Sequence, residues 1–243
     1  MVDEPARWTA NRASPCTPTK PRSLPLSDRL AYFWYVQPRS STSGRSGSFT
    51  EAARRAQIIE AAIATVNELG FAQASLAQIA RRAATSKSVI SYHFDGKEEL
   101  LEQVVHVVFS RAGELIIAAV GREVTWSAKL AAYVRAELSF IRDHRPSMMA
   151  ANDILISHRS PDGVPLYLQG GDEETALLQS ILRSGQAAGE FGRVDVTVAA
   201  LTVVHAIDGA LTQSQKDPAT DLDAYADSLV PLLLRMVAPE GGA

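Results

Sequence analysis

The sequence contains little of what several protein classes require. Cys16 is its one cysteine, so no intramolecular disulfide can form, and a reducing compartment such as the cytoplasm is expected. Only 7% of the 243 residues are aromatic and glycine is not abundant, so neither a β-rich nor a fibrous architecture is favoured. Apolar residues make up 46% of the chain, which is enough for a sizeable core.

Long hydrophobic runs are also missing. The longest candidates, residues 30–36 and 115–120, are far shorter than the roughly 18 residues of a membrane span. Asp3 and Glu4 stand where a secretory signal would be basic. We therefore expect neither a membrane partner nor a secretory signal.

Acidic and basic residues are unevenly distributed. The chain has a net charge of −3, but residues 1–97 carry thirteen Lys and Arg against seven Asp and Glu, a net +6 that leaves −9 for the remainder. This asymmetry favours a polyanion as the partner of the N-terminal part, although the same charges also suit an ordinary solvated surface.

Residues 1–49 differ in composition from the rest of the chain. They hold six of the twelve prolines, and residues 40–48 are almost all serine, threonine and glycine. Such a segment buries too little apolar surface to offset its ordering entropy, so we predict a flexible N-terminal tail. The apolar island at 30–36 is the exception and could dock elsewhere. A second interpretation, that translation starts downstream of this segment, stays open.

The apolar spacing is helical from residue 50 onward, with no alternation typical of strands. Thr50 is expected to cap a first helix that Gly70 ends, and Ser75 and Ser86 are expected to cap two short helices. Pro231 should kink the last helix. The remaining helices are predicted at 97–120, 127–144, 147–156, 172–188, 195–213 and 221–237, with a loop at 160–171. The fold class is therefore all-α.

The two short helices and the tight turn between them form a helix-turn-helix pattern behind the first helix. Ile79, Ile90 and Phe94 recur at the spacing that would pin the pair together. A helix face that only contacts solvent rarely carries a valine, a tyrosine and a histidine within seven residues. A DNA-reading face is therefore favoured over an ordinary solvated surface. The residues left on that face are Lys87, Ser88, Val89, Ser91, Tyr92 and His93.

These residue types suit a DNA groove. Lys87 can donate to guanine, Ser88 and Ser91 are adaptable donors, and Val89 can pack on a thymine methyl group. Tyr92 and His93 can reach a phosphate or a base edge.

Three further residues flank this face at helix N-termini. Ser75 offers a hydroxyl and free backbone N–H groups to a phosphate, and Ser86 starts the reading helix. Lys97 opens the next helix, where the helix dipole does not favour a cation, which suggests an external anion.

Residues 51–105 resemble the TetR/AcrR family of bacterial repressors. The resemblance implies a three-helix DNA-binding domain at 50–96 and a C-terminal helical bundle at 97–243 for ligand binding and dimerisation. The matching residues include Gly70-Phe71, Ser75-Leu76, Ile79-Ala80, the string from Ala84 to Phe94, Lys97 and Leu100-Leu101.

The resemblance also implies roles for single residues. Ala84 departs from the glycine that the family commonly has, so the turn should differ slightly. Ala74 replaces a frequent threonine, and Ala77 removes a base contact that some members make with arginine. The implied roles are phosphate contact for Ser75, base reading for Lys87, Ser88, Val89 and His93, and phosphate contact for Tyr92 and Lys97.

The C-terminal half is less similar to the family. The resemblance implies a homodimer formed by the last two helices, a palindromic operator DNA, and a small apolar effector that releases the protein from it. No cofactor or metal is expected. The candidate pocket residues, each equally suited to a plain core, are Trp126, Tyr133, Phe140, Met148, Met149 and Asn152.

Three alternative functions are disfavoured by the sequence. An enzyme is disfavoured because the chain has no glycine-rich phosphate loop, no nucleophile elbow and no Cys/His cluster. A DNA-compacting protein should be basic throughout. An adaptor that no longer binds DNA would not need the intact segment 87–97. The sequence thus predicts a non-enzymatic, sequence-specific transcriptional regulator.

Overall fold

The computed structural model describes residues 49–159, 163–168 and 173–239, so the predicted tail at 1–49 lies outside the described residues except for Phe49. The predicted all-α class is confirmed. The described segments form nine α-helices: α1 (Phe49–Leu69), α2 (Leu76–Arg82), α3 (Lys87–His93), α4 (Gly96–Gly121), α5 (Trp126–Asp143), α6 (Arg145–Ser157), α7 (Glu173–Ala187), α8 (Val196–Lys216) and α9 (Leu222–Met236).

The first three helices form a small unit around a shared core. Ile58 of α1, Ile79 of α2 and Ile90 of α3 are fully buried, and Phe94 closes the core after α3. Gly70 ends α1 with φ +79°, a left-handed conformation that glycine adopts without strain, as the sequence predicted. The prediction for Thr50 is wrong, because α1 already includes Phe49 and Thr50 lies inside the helix.

The long helix α4 leads from this unit into the rest of the protein. It packs against α1 on one side and against α5 and α6 on the other. Helix α5 lies at the centre of the C-terminal part, in contact with α4, α6, α7, α8 and α9. Its Leu130, Val134 and Ile141 are buried, as their helical spacing requires.

Side-chain caps set several of the helix starts. The Thr125 hydroxyl accepts from the Ala128 amide and caps α5. The helix therefore begins at Trp126, one residue before the predicted start at residue 127. Asp195 and Asp221 cap α8 and α9, and both also suit the positive end of the helix dipole. Pro231 lies inside α9, at the position where the sequence predicts a kink.

The predicted loop at 160–171 is described only in part. Residues 163–168 include a single 3₁₀ turn, Leu166–Leu168, and Pro165 forms an isolated β-bridge with Arg159.

Two helices, α4 and α8, are long and apolar enough to cross a membrane by length and composition. The sequence prediction rested on uninterrupted apolar runs alone and therefore missed them. Both helices pack within the helical fold, α4 against α1, α5 and α6, and α8 against α7, α5 and α9. Length and composition alone are weak grounds for a membrane span.

Candidate nucleic-acid interface

Ser75 begins α2 as the sequence predicted. Its hydroxyl accepts from the Gln78 amide at 3.4 Å, and the Gln78 side-chain oxygen accepts from the Ser75 amide at 2.9 Å. This reciprocal pair is a capping box, which satisfies two amides that α2 would otherwise leave open. Ser75 remains partly exposed, so a phosphate contact stays a prediction for it.

The turn between α2 and α3 is built on Ala84. Its φ of +47° is left-handed, and the conformation is held by hydrogen bonds from the Thr85 amide to the Ala80 carbonyl (2.9 Å) and from the Ala84 amide to the Arg81 carbonyl (3.2 Å). These two hydrogen bonds close the C-terminal end of α2 in a turn that usually has a glycine at the left-handed position. Alanine adopts that conformation at some steric cost. The backbone at Ala84 thus adopts the left-handed conformation that a glycine would adopt, although a different turn was expected.

Helix α3 presents the predicted residues on its outer side. Ser86 caps the helix by accepting from the Val89 amide, and its hydroxyl lies 2.8 Å from that of Ser88. Ile90 is fully buried and fixes the inner side. The structure therefore brings the predicted face together: Ser86, Lys87, Ser88, Ser91 and Tyr92 are exposed, and Val89 and His93 are partly exposed.

Tyr92 and His93 form the C-terminal end of this face. The Tyr92 side chain is 77% exposed, and its ring meets the His93 ring edge-on with centroids 5.1 Å apart. Burial, followed by the nearby positive charge of Arg55, lowers the pKa of His93. The imidazole is therefore neutral at about pH 7, with one nitrogen free to donate and the other to accept.

Lys97 has an internal partner. Its ammonium group donates to the Phe71 carbonyl at 2.9 Å and lies 4.8 Å from the centroid of the Phe71 ring. The sequence suggested an external anion because the dipole disfavours a lysine at this position. The structure supplies a carbonyl and an aromatic face instead, so the predicted phosphate contact loses that support.

Arg55 is a residue whose role the sequence did not reveal. Its guanidinium donates to the backbone carbonyl of His93 and stacks 4.3 Å from the centroid of the Phe94 ring. Gln57, on the same helix, donates to the Ala83 carbonyl at 3.0 Å. Helix α1 thus fastens both the turn and the end of α3. No local pattern signals this role, because the partners lie more than 25 residues apart in sequence.

The six predicted pocket residues do not together line either of the two cavities that the structure shows. Tyr133, Phe140 and Met148 are buried in the core, which is the plain alternative that the sequence left open. Trp126 lies at the start of α5, where the Lys129 ammonium approaches its ring. Met149 and Asn152 line a cavity of about 340 Å³ between α1 and α6.

A larger cleft of about 590 Å³ lies between α4, α5 and α9. It contains none of the six predicted residues. Five alanines and Leu115 line it, together with charged and polar groups. The lining residues are Leu115, Ala118, Ala119, Arg122, Glu123, Ala132, Arg135, Ala136, Ser139, Asp223 and Ala226.

Metal-binding groups are not clustered in the part of the chain that the structure describes. No set of three or more His, Cys, Asp or Glu residues there could hold a metal ion.

Two family models match the chain. The model for bacterial regulatory proteins of the tetR family matches residues 58–104, and that for a tetracyclin repressor-like C-terminal domain matches residues 123–237. The transcriptional regulator BetI of Serratia proteamaculans is 46% identical over 63 residues, which are 26% of this chain and 32% of that regulator. The chain thus spans about a third of the length of the curated relatives it matches.

Solved structures share the fold over most of the chain. The fatty acid degradation regulator FadR of Bacillus halodurans superposes with a TM-score of 0.67 at 21% identity, covering 82% of this chain and 98% of that one. FadR of Bacillus subtilis, solved with stearoyl-CoA, gives 0.63 at 23% identity, covering 74% and 97%. A tetR-family protein from Rhodococcus RHA1 gives 0.66 at 24% identity, covering 76% and 97%.

Proposed function

Because the chain belongs to the TetR family of bacterial regulatory proteins, we propose that it is a dimeric transcriptional repressor that binds operator DNA and is released by a small, largely apolar effector. The observation that carries this proposal is the outer side of α3. Seven exposed or partly exposed residues that suit DNA contacts stand on and before a helix whose inner side is fixed by buried Ile90. The DNA-binding domain is assigned to 50–96 and the effector and dimerisation domain to 97–243.

The proposed DNA contacts divide into two kinds. Lys87, Ser88, Val89, Ser91 and His93 read base edges in the major groove. Phosphate contacts fix the register of the helix and carry no sequence information. The residues assigned to phosphate are Ser75, Ser86, Tyr92 and Lys97.

Dimerisation is assigned to α8 and α9. Val198 and Leu201 of α8 and Leu232 of α9 are exposed, at 62%, 44% and 55% respectively. Burial of large apolar side chains on two adjacent helices favours association with a partner surface. In a symmetric dimer, the same residues of both copies would be buried. Two reading helices then address two half-sites about one helical turn apart or somewhat more.

The effector is assigned to the cleft between α4, α5 and α9. The five alanines and Leu115 that line it suit an apolar body, and Arg122 and Ser139, also in the lining, can orient a polar end. The stearoyl-CoA bound to FadR of Bacillus subtilis makes long-chain acyl thioesters the first class to test. A hundredfold loss of operator affinity needs about 2.7 kcal/mol of coupling, within the usual range of allostery.

The DNA-binding proposal is tested by selecting bound duplexes from a random library with the full chain, followed by retardation assays at moderate salt. A palindromic consensus is expected, together with a dimer by light scattering. If the protein were an enzyme or an adaptor that does not bind DNA, the selection would enrich no particular DNA sequence. A monomer at micromolar concentration with a non-repeating footprint would contradict the dimer.

The effector proposal has a reciprocal test. If stearoyl-CoA lowers operator affinity, operator DNA must lower stearoyl-CoA affinity by the same factor. Ala132→Trp should fill the cleft and abolish this response while leaving operator binding intact. If stearoyl-CoA binds tightly and operator DNA leaves its affinity unchanged, the effector proposal is wrong and the C-terminal domain serves only for dimerisation.

A further inference from the structure

The turn between α1 and α2 is held from two directions at one residue. The Phe71 amide donates to the Asp153 carboxylate of α6 at 2.8 Å. The Phe71 carbonyl accepts from the Lys97 ammonium of α4 at 2.9 Å. Both backbone polar groups of Phe71, a residue of the DNA-reading unit, are thus bound to helices of the C-terminal domain, the carbonyl to α4 and the amide to α6.

The groups around this contact are themselves oriented. Ser157 donates to the second Asp153 oxygen at 3.1 Å, which fixes the carboxylate plane. The His158 ring packs edge-on against Phe71 with centroids 5.9 Å apart, and its Nε2 lies 3.1 Å from a Glu102 carboxylate oxygen. His158 is only 4% exposed, so the Phe71 ring packs against a buried side chain.

Packing beside this contact is incomplete. The cavity of about 340 Å³ is lined by Val66 and Gly70 on the side of α1 and by Met149 and Asp153 on the side of α6. Where side chains do not interdigitate, directional hydrogen bonds carry a larger share of the fixation. Asp153 is therefore one of the groups placed to control the angle between the DNA-reading unit and the C-terminal domain.

The covalent connection alone leaves that angle poorly defined. The chain passes from α3 to α4 through Asp95, which makes no side-chain cap, and Gly96, whose φ is +94°. A second attachment away from this joint is needed to prevent rotation about it. The bond from the Phe71 amide to Asp153 supplies one such attachment from α6, beside the hydrogen bond from the Asn67 side chain of α1 to the Pro146 carbonyl of α6 at 2.6 Å.

We propose that Asp153 is a positioning residue that sets the orientation of the DNA-reading unit on the C-terminal domain, and so determines which half-site spacing the dimer accepts. This inference rests on the proposed function. Loss of the carboxylate frees each reading unit to turn. The dimer then tolerates operators whose half-sites are wrongly spaced, while each unit still reads its own half-site.

The experiment uses the operator selected with the full chain, together with versions lengthened or shortened by one base pair at the centre, and a duplex with a single half-site. Affinities are measured for the wild type and for Asp153→Ala. The wild type should prefer the selected spacing, and Asp153→Ala should reduce that preference about tenfold, the lower end of what one charge-assisted hydrogen bond contributes. Affinity for the single half-site should not change.

Three further variants separate positioning from general stability. Asp153→Asn keeps an acceptor for the Phe71 amide and should restore most of the spacing preference. Ser157→Ala removes only the contact to the other carboxylate oxygen, and Asp143→Ala removes an exposed carboxylate at the end of α5. Asp143→Ala should behave as the wild type, and Ser157→Ala should lower the spacing preference less than Asp153→Ala does, because the bond to the Phe71 amide remains. If Asp153→Ala does not give a folded dimer, Asp153→Ser, whose hydroxyl is too short to reach the amide, takes its place.

An unchanged spacing preference in the folded variant would overturn the inference and leave the proposed function intact. An equal fall in affinity for the single half-site and the full operator would overturn it too, because the residue would then act within the reading unit. If the wild type selects no DNA sequence, the proposed function fails, and the inference with it.

Discussion

Arg55 of α1 donates a hydrogen bond to the backbone carbonyl of His93, the last residue of α3, and its guanidinium covers the ring of Phe94. A cation at the C-terminal end of a helix is favourable for the helix dipole. The contact ties the end of the proposed reading helix to the first helix of the domain. The orientation of α3 therefore depends on a residue that is distant in sequence.

Arg55→Ala should reduce the free energy of unfolding by about 2 kcal/mol, because a charge-assisted hydrogen bond and a cation–π contact are lost together. Operator affinity should fall as well, since α3 loses its fixed end. Thermal unfolding and retardation assays measure the two effects. Arg135→Ala is the matched control, because Arg135 pairs with the exposed Asp227 outside the DNA-reading unit. Equal effects of both substitutions would show that the contact to His93 is unimportant.

The sequence predicted the helices and the outer face of α3 because both depend on local periodicity and on caps such as Ser75 and Ser86. It did not predict the roles of Arg55, Lys97 or Asp153. Their partners are backbone groups brought near by tertiary packing, and a backbone group leaves no residue type to recognise in the sequence. The pocket prediction gathered large apolar side chains, whereas five of the eleven residues that line the larger cleft are alanines, whose small side chains leave space.

Ala84→Gly should stabilise the protein by roughly 0.5–1 kcal/mol, because a left-handed conformation strains an alanine more than a glycine. The gain is partly offset by the greater freedom of glycine in the unfolded chain. Chemical denaturation with matched slopes measures it. Ala77→Gly, on the exposed side of α2, should instead destabilise by about 1 kcal/mol. A loss of stability at both positions would mean that Ala84 is not strained.

Tyr92→Ala should weaken operator binding about tenfold without changing the unfolding temperature measurably, because the side chain is 77% exposed and exposed substitutions rarely alter stability. Tyr92→Phe separates the contribution of the hydroxyl from that of the ring. A Tyr92→Ala protein that binds operator as tightly as the wild type would remove this residue from the interface.

Lys97→Ala should differ from Tyr92→Ala by also lowering the free energy of unfolding, by about 1–2 kcal/mol, since the Phe71 carbonyl loses its donor. Whether Lys97 contacts a DNA phosphate is decided by measuring operator affinity at several salt concentrations. A phosphate contact would reduce the slope of log affinity against log salt by about one unit. An unchanged slope would assign Lys97 to the turn alone.

His93 should make stability depend on pH. Its pKa is lowered in the folded protein by burial and then by Arg55, so the unfolded chain binds the proton more readily. The contribution of this histidine to stability is full above about pH 6.5, the unfolded value, and is lost as the pH falls through the lower folded pKa. His93→Gln should flatten this part of the pH profile, whereas His106→Gln, at an exposed position of α4, should not. A profile identical to the wild type after His93→Gln would contradict the assignment.

The exposed apolar side chains of α8 and α9 bear on how all these variants are compared. If a second copy covers Val198, Leu201 and Leu232, unfolding releases two chains from each folded particle. By mass action the unfolding temperature then rises with protein concentration, even for an unaltered sequence. Dilution would then act on this protein as a destabilising substitution does, so the number of copies in a cell would set what fraction of the chain is folded.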